Sequence, residues 1–96
     1  MMCGGFTPAA NPATPEIQAM VNGLKSNVEG SMGKTTEEYV AICYKTQVVA
    51  GLNYKVKVKI DGEAYIHVKI FEPLPHTGQF PSVSGVEQGM TADSPL

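Results

Sequence analysis

The stretch Tyr54-Lys55-Val56-Lys57-Val58-Lys59-Ile60 limits the fold more than any other part of the chain. Its strict alternation of apolar residue and lysine suits a strand with one dry and one wet face, and little else. Such a strand needs neighbours in an antiparallel sheet and an apolar cover over its dry side. Two more stretches share the period of two, Tyr39 to Thr46 and Ala64 to Phe71, which predicts at least three strands.

The cover is a helix. Thr14-Pro15-Glu16 places a capping hydroxyl, a proline at the first helical position and an acid where the helix dipole favours negative charge. Ile17, Met20, Val21, Leu24 and Val28 then recur at helical spacing, so one face is expected to be buried. Gly23 weakens the middle by about 1 kcal/mol relative to alanine. Gly30 and Gly33 are the candidate stops.

Strands that pair must put their apolar residues on the same side. Pairing Tyr54 with Tyr44, Val56 with Ile42 and Val58 with Val40 achieves this and leaves Gln47-Val48-Val49-Ala50-Gly51 as the connecting loop. Pairing Ile60 with Ala64, Val58 with Ile66 and Val56 with Val68 makes Asp61-Gly62-Glu63 a three-residue turn. Beyond Phe71 the two prolines of Glu72-Pro73-Leu74-Pro75-His76 interrupt the ladder and predict a second projecting loop. Phe80 to Val86 is a candidate edge strand, and the chain from about residue 88 to 96 reads as a flexible tail. Residues 1–12, rich in Gly, Pro and Ala, read as an extended trunk. The 96 residues suffice for a single domain.

Val48 and Val49 stand where a tight turn ordinarily carries Gly, Asn, Asp or Pro. Either they continue a strand whose turn lies at Ala50 to Asn53, or they project from a hairpin tip as anchors for another molecule, each contributing at most about 1.5–3 kcal/mol when buried there.

Around that tip the sequence resembles a known family. Gln47-Val48-Val49-Ala50-Gly51 is similar to the QxVxG first-loop signature of the cystatins, and its flanks Tyr44-Lys45-Thr46 and Asn53-Tyr54 are similar to those of the stefin (type 1) branch. Met1-Met2-Cys3-Gly4-Gly5, Pro12 to Gln18, Val68 to Phe71 and Leu74-Pro75-His76 resemble stefins as well, so the likeness runs from residue 1 to about 80. Phe80 to Leu96, short and rich in Gly, Ser and Pro, departs from the family pattern.

The resemblance implies an α+β, cystatin-like fold: one long helix packed across a curved antiparallel sheet. It also implies a reversible, competitive protein inhibitor, stefin A/B-like, of papain-like cysteine proteases, cathepsins and papain among them. By carry-over the trunk residues Met1, Met2, Cys3, Gly4 and Gly5 would enter the non-primed part of the protease cleft, with Gly4 or Gly5 as the pivot. Gln47, Val48, Val49, Ala50 and Gly51 would cover the primed side, and Leu74, Pro75 and His76 its outer wall. The rival reading keeps the fold as a non-inhibitory scaffold that self-associates by strand exchange; the expected state is otherwise monomeric.

Other chemistries have little to stand on. Cys43 lies within a strand with no activating spacing to His67 or His76, so it reads as a structural thiol and no enzyme is expected. His67, opposite the apolar face of its strand, reads as solvated, and two histidines with two separated cysteines predict neither metal nor cofactor. Lys55, Lys57 and Lys59 read as the wet face of their strand. A formal charge of −2 without arginine argues against a nucleic-acid partner. No membrane partner is expected either, since the start has neither the basic nor the apolar region of a secretory signal. The sparse cysteines suit the cytoplasm.

Overall fold

The computed structural model describes residues 11–49, 51–62, 64–74, 80–92, 94 and 96. Among these residues five antiparallel strands, in sheet order equal to chain order, form one sheet: β1 Asn11–Pro12, β2 Tyr39–Val49, β3 Gly51–Ile60, β4 Tyr65–Pro73 and β5 Ser82–Met90. Two helical segments, α1 Pro15–Gly23 and α2 Lys25–Met32, separate β1 from β2. The architecture is the α+β arrangement expected.

The helix begins as its sequence dictates. Thr14 is extended, and its hydroxyl accepts from the Ile17 N–H at 3.2 Å. Gly33 closes α2 in the left-handed region, φ 74°, and donates to the Glu29 carbonyl. The single long helix is instead divided at Leu24, whose φ −107° and ψ 7° leave the helical region beside Gly23. At this break the Tyr39 phenol donates to the Val21 carbonyl at 2.9 Å, a tie from the sheet to the backbone where regular helix lapses.

Ile17, Val21 and Val28 join Tyr39, Ala41, Val56, Val58, Ile60, Ile66, Val68 and Ile70 in one buried cluster, with Met20 and Leu24 packed at its margin. Burial of each large aliphatic side chain there is worth about 1.5–3 kcal/mol.

The β3–β4 register is the expected one: Val56 faces Val68, Val58 faces Ile66, and Ile60 N–H donates to the Ala64 carbonyl at 2.9 Å. Gly62, at φ 69°, supplies the left-handed step of that turn. The β2–β3 register differs from expectation. Tyr44 faces Val56 and Thr46 faces Tyr54, a slip of two residues that keeps every side chain on its face and so escapes a parity rule. Between Ala41 and Cys43 a bulge then inverts the parity. Tyr39 and Ala41 therefore turn inward, while Val40 and Ile42, expected inside, are exposed.

Four boundaries also move. β1 draws Asn11 and Pro12 out of the trunk to pair with Tyr44 and Cys43. β2 and β3 form a ladder through the expected five-residue loop. β4 continues through Glu72 to Pro73, and β5 runs to Met90, past the tail boundary near 88.

Candidate functional site

At one end of the sheet the β2–β3 ladder continues to its tip, with Gln47 opposite Asn53, Val48 opposite Leu52 and Val49 opposite Gly51. Val48 and Val49 thus do continue a strand, yet Val48 is not drawn into the core: 71% of its surface is exposed, against 0% for Val56 in the neighbouring strand. The side chain of Val49 and the whole of Ala50 lie outside the described residues.

Gly51 explains how the tip is held. Its φ is +133°, and a Cβ there would collide with the Glu72 carbonyl oxygen and sit 3.1 Å from the Phe71 ring. Only glycine lets β3 approach β4 so closely. Gly51 pairs with Pro73, and Leu74, 40% exposed, follows directly. First tip and second loop are therefore joined at their bases. Pro75 and His76 lie outside the described residues, as do Met1, Met2, Cys3, Gly4 and Gly5. β1 nevertheless runs antiparallel to β2, so its N-terminal end faces the Gln47 end of β2.

Side chains brace the same region. Asn53 Nδ2 donates to Gln47 Oε1 at 2.9 Å, and the Tyr54 phenol donates to Glu72 Oε1 at 3.2 Å. Burial, then the Glu72 carboxylate, pushes the Tyr54 phenol up to about 12, so it remains a donor through the neutral range. The Tyr44 ring lies 6.4 Å from that of Tyr54, tilted by 41°, a stabilising aromatic geometry. The sequence alone signalled none of the bracing by Asn53, Tyr54 and Glu72; a polar cross-strand pair at the tip was the one available hint for Asn53.

Cys43 is a half-buried free thiol. His67, expected in solvent, is 1% exposed, and Lys57 of the supposed wet face only 7%. The reason is that β5 and the residues after it cover this side of the sheet: Lys57 Nζ donates to the Ala92 carbonyl at 2.6 Å. Among the described residues no group of three or more His, Cys, Asp or Glu is placed to hold a metal, and no helix is long and apolar enough to cross a membrane.

A helix-backed antiparallel sheet that ends in an exposed Val48, with Gly51 packed against β4, is an α+β class of protein. Comparison with known proteins gives that class its family. The family model described as Cystatin domain matches residues 4–84. Porcine (Sus scrofa) Cystatin-A1 is 45% identical over the whole chain and 92% of its own length, and porcine Leukocyte cysteine proteinase inhibitor 1 is 42% identical with the same coverage. Bovine (Bos taurus) Cystatin-B is 45% identical over 79% of this chain and 76% of its own. The chain belongs to the cystatin family, in its stefin branch.

Proposed function

We propose that this chain is a reversible, tight-binding competitive inhibitor of papain-like cysteine proteases, and that it catalyses nothing itself. The observation that carries the reading is Val48, an apolar side chain left in solvent at the end of a rigid ladder whose base is fixed by Gly51 against β4. Its family membership, and relatives one of which is named a cysteine proteinase inhibitor, support it.

The mechanism is exclusion. Gln47 to Gly51 and Leu74 to His76 enter the cleft as one edge, and Met1 to Gly5 join it from the N-terminal side of β1. Because strands pre-set the loops, little ordering entropy is lost on binding. An interface of standard size would bury about 1,600 Å² in total. No peptide bond is offered to the catalytic thiol, so occupancy of the cleft suffices. Sparse cysteines and the free thiol of Cys43 suit a cytoplasmic, monomeric protein whose partners are cathepsin-type proteases.

The test is a titration of papain, repeated with papain whose catalytic thiol carries a small blocking group. The expected result is inhibition of the first and retained, weaker binding to the second. Full papain activity at high micromolar concentrations of folded protein would overturn the reading.

A further inference from the structure

A bulge separates the end of β5 from the rest of that strand. The β4–β5 register shifts between Tyr65, which faces Met90, and His67, which faces Glu87, and Gly89 takes φ 74° there. Beyond the bulge the chain crosses the side of the sheet turned away from the helices, and two lysines hold it down. Lys57 Nζ donates to the Ala92 carbonyl at 2.6 Å and Lys45 Nζ to the Leu96 carbonyl at 3.4 Å.

His67 is buried on this side. Directly opposed strand residues share a side, so Lys57 of β3 and Glu87 of β5 flank it, with Lys55 of β3 and Lys69 of β4 alongside. Glu87 Oε1 lies 3.9 Å from His67 Nδ1, 3.6 Å from Lys55 Nζ and 4.0 Å from Lys69 Nζ, so one carboxylate is divided among three partners. Further along the same side stand Lys59 with its partner Glu38, Cys43 and Tyr65. Asp93, the ionisable side chain of the crossing segment, lies outside the described residues.

The imidazole has lost water without gaining a bond. His67 Nε2 and Glu87 Oε1 are both buried with no hydrogen-bond partner among the described residues, a cost carried by the seated arrangement. A proton added there would be a dehydrated charge next to Lys57. Burial, then Lys57 and Lys55, hold the imidazole below its ordinary 6.5; Glu87 opposes them and Lys69 adds to them.

We infer that residues 90–96 form an acid-released strap: it seats over Lys57 and His67 while the imidazole is neutral, and comes away when the imidazole takes up a proton and needs water. The device does not rest on the proposed protease contact. Uncovered, His67 regains its ordinary 6.5; seated, it titrates lower. Between those values the released form holds more protons, so release grows as pH falls through the interval and levels off below the seated value. Above 6.5 the strap carries no such penalty.

The test is an NMR titration of the full chain from about pH 8 to about pH 4, a span that brackets imidazole titration, following the His67 ring protons and the amides of Thr91, Ala92 and Ser94. Carboxylate titration also moves amides at the acid end, so the strap response is read as the difference from His67→Gln, whose side chain stays neutral. One shared midpoint below 6.5 is expected, with the three amides moving towards disordered-chain shifts. The ratio of released to seated strap should rise up to about ten-fold for each unit by which the seated imidazole lies below its ordinary value. Glu87→Gln removes the charge that favours the imidazolium and should carry imidazole and strap to a lower midpoint together, a second reading that holds even where His67→Gln does not fold. An imidazole that titrates at or above 6.5, or not at all by about pH 4, would overturn the inference. So would strap amides that do not follow the imidazole midpoint in parent and Glu87→Gln, or that respond equally in His67→Gln.

Discussion

The two ends of the sheet treat their turns in opposite ways. At the Asp61-Gly62 end the turn side chain bonds back to its own chain: Asp61 Oδ1 accepts from the Glu37 N–H at 2.8 Å and the Glu38 N–H at 2.7 Å. At the Val48 end, the outermost described side chain is apolar and has no core to enter. There the order comes from the backbone, through Gly51 packed on β4, and from the Tyr54–Glu72 brace one step further in. The first end spends its turn side chain on the fold; at the second, Val48 stays in solvent, where the proposed function would use it. Exposure by itself does not make a binding edge, for Asp61 is exposed too. What distinguishes the Val48 end is an unsatisfied apolar group on a fixed scaffold.

The contrast is most severely tested at Gly51. Gly51→Val forces a side chain into the Glu72 carbonyl at a positive φ, and should cost about 2–4 kcal/mol, since backbone strain and overpacking add. Thermal unfolding measures it, and a loss under 1 kcal/mol would show that the two hairpin ends are not locked together. Val48→Asp should act in the opposite sense. Unfolding stability should change by no more than about 0.5 kcal/mol, as for an ordinary surface site. Papain inhibition should weaken by at least about ten-fold, because a carboxylate would be desolvated in the interface. Equal inhibition by variant and parent would remove Val48 from the contact.

Tyr54→Phe removes one hydrogen bond and should cost about 1 kcal/mol. It carries a pH signature as well. The folded phenol titrates near 12, above the ordinary value of 10.0, so its contribution is complete below pH 10 and is lost as pH rises towards 12. Tyr39, raised to about 12 by burial and then by Glu29, behaves alike. A spectrophotometric tyrosinate titration should therefore lose one late step in Tyr54→Phe and another in Tyr39→Phe. Asp61→Ala should have the smallest effect, at the opposite end of both sheet and pH scale. Two backbone N–H donors, with Lys34 and Lys25 at longer range, hold the Asp61 carboxyl below its ordinary 3.8. Its contribution is present above that value and fades as pH falls through the lower folded value. The variant should be slightly less stable at pH 7 and no different from the parent in strong acid; a constant offset across the acid range would contradict the assigned role.

What the sequence made legible follows a physical line. The lysine alternation of β3 and the Thr14-Pro15 start left one reading each, and the β3–β4 register followed because the turn at Gly62 admitted a single parity. β2 was ambiguous because Tyr39-Val40-Ala41-Ile42 is apolar in both parities. The choice falls to the Tyr39 phenol, which reaches Val21 only from inside the fold. β5 runs past the expected tail boundary because it takes in Gly85 and Gly89, residues that weaken a strand: its pairing with β4 shifts beside Lys69, opposite Gly85, and Gly89 sits at φ 74°. His67 and Lys57 looked wet because what covers them comes from β5 and the chain after it, far along the sequence, which no local pattern reports. The first tip and its glycine were legible as a motif, while the residues that stiffen it act through tertiary contacts.

Gln18 sets a limit on what this molecule can do to its own kind. Its side-chain amide lies along the outer margin of β2, donating to the Tyr39 carbonyl at 3.2 Å and accepting from the Ala41 N–H at 2.8 Å, just before the Ala13 N–H reaches the Ile42 carbonyl and β1 takes over. One glutamine thus imitates a short piece of strand and occupies backbone groups that would otherwise template stacking of one copy on the next. A helix side chain thereby closes that stretch of the margin to the backbone of a second copy.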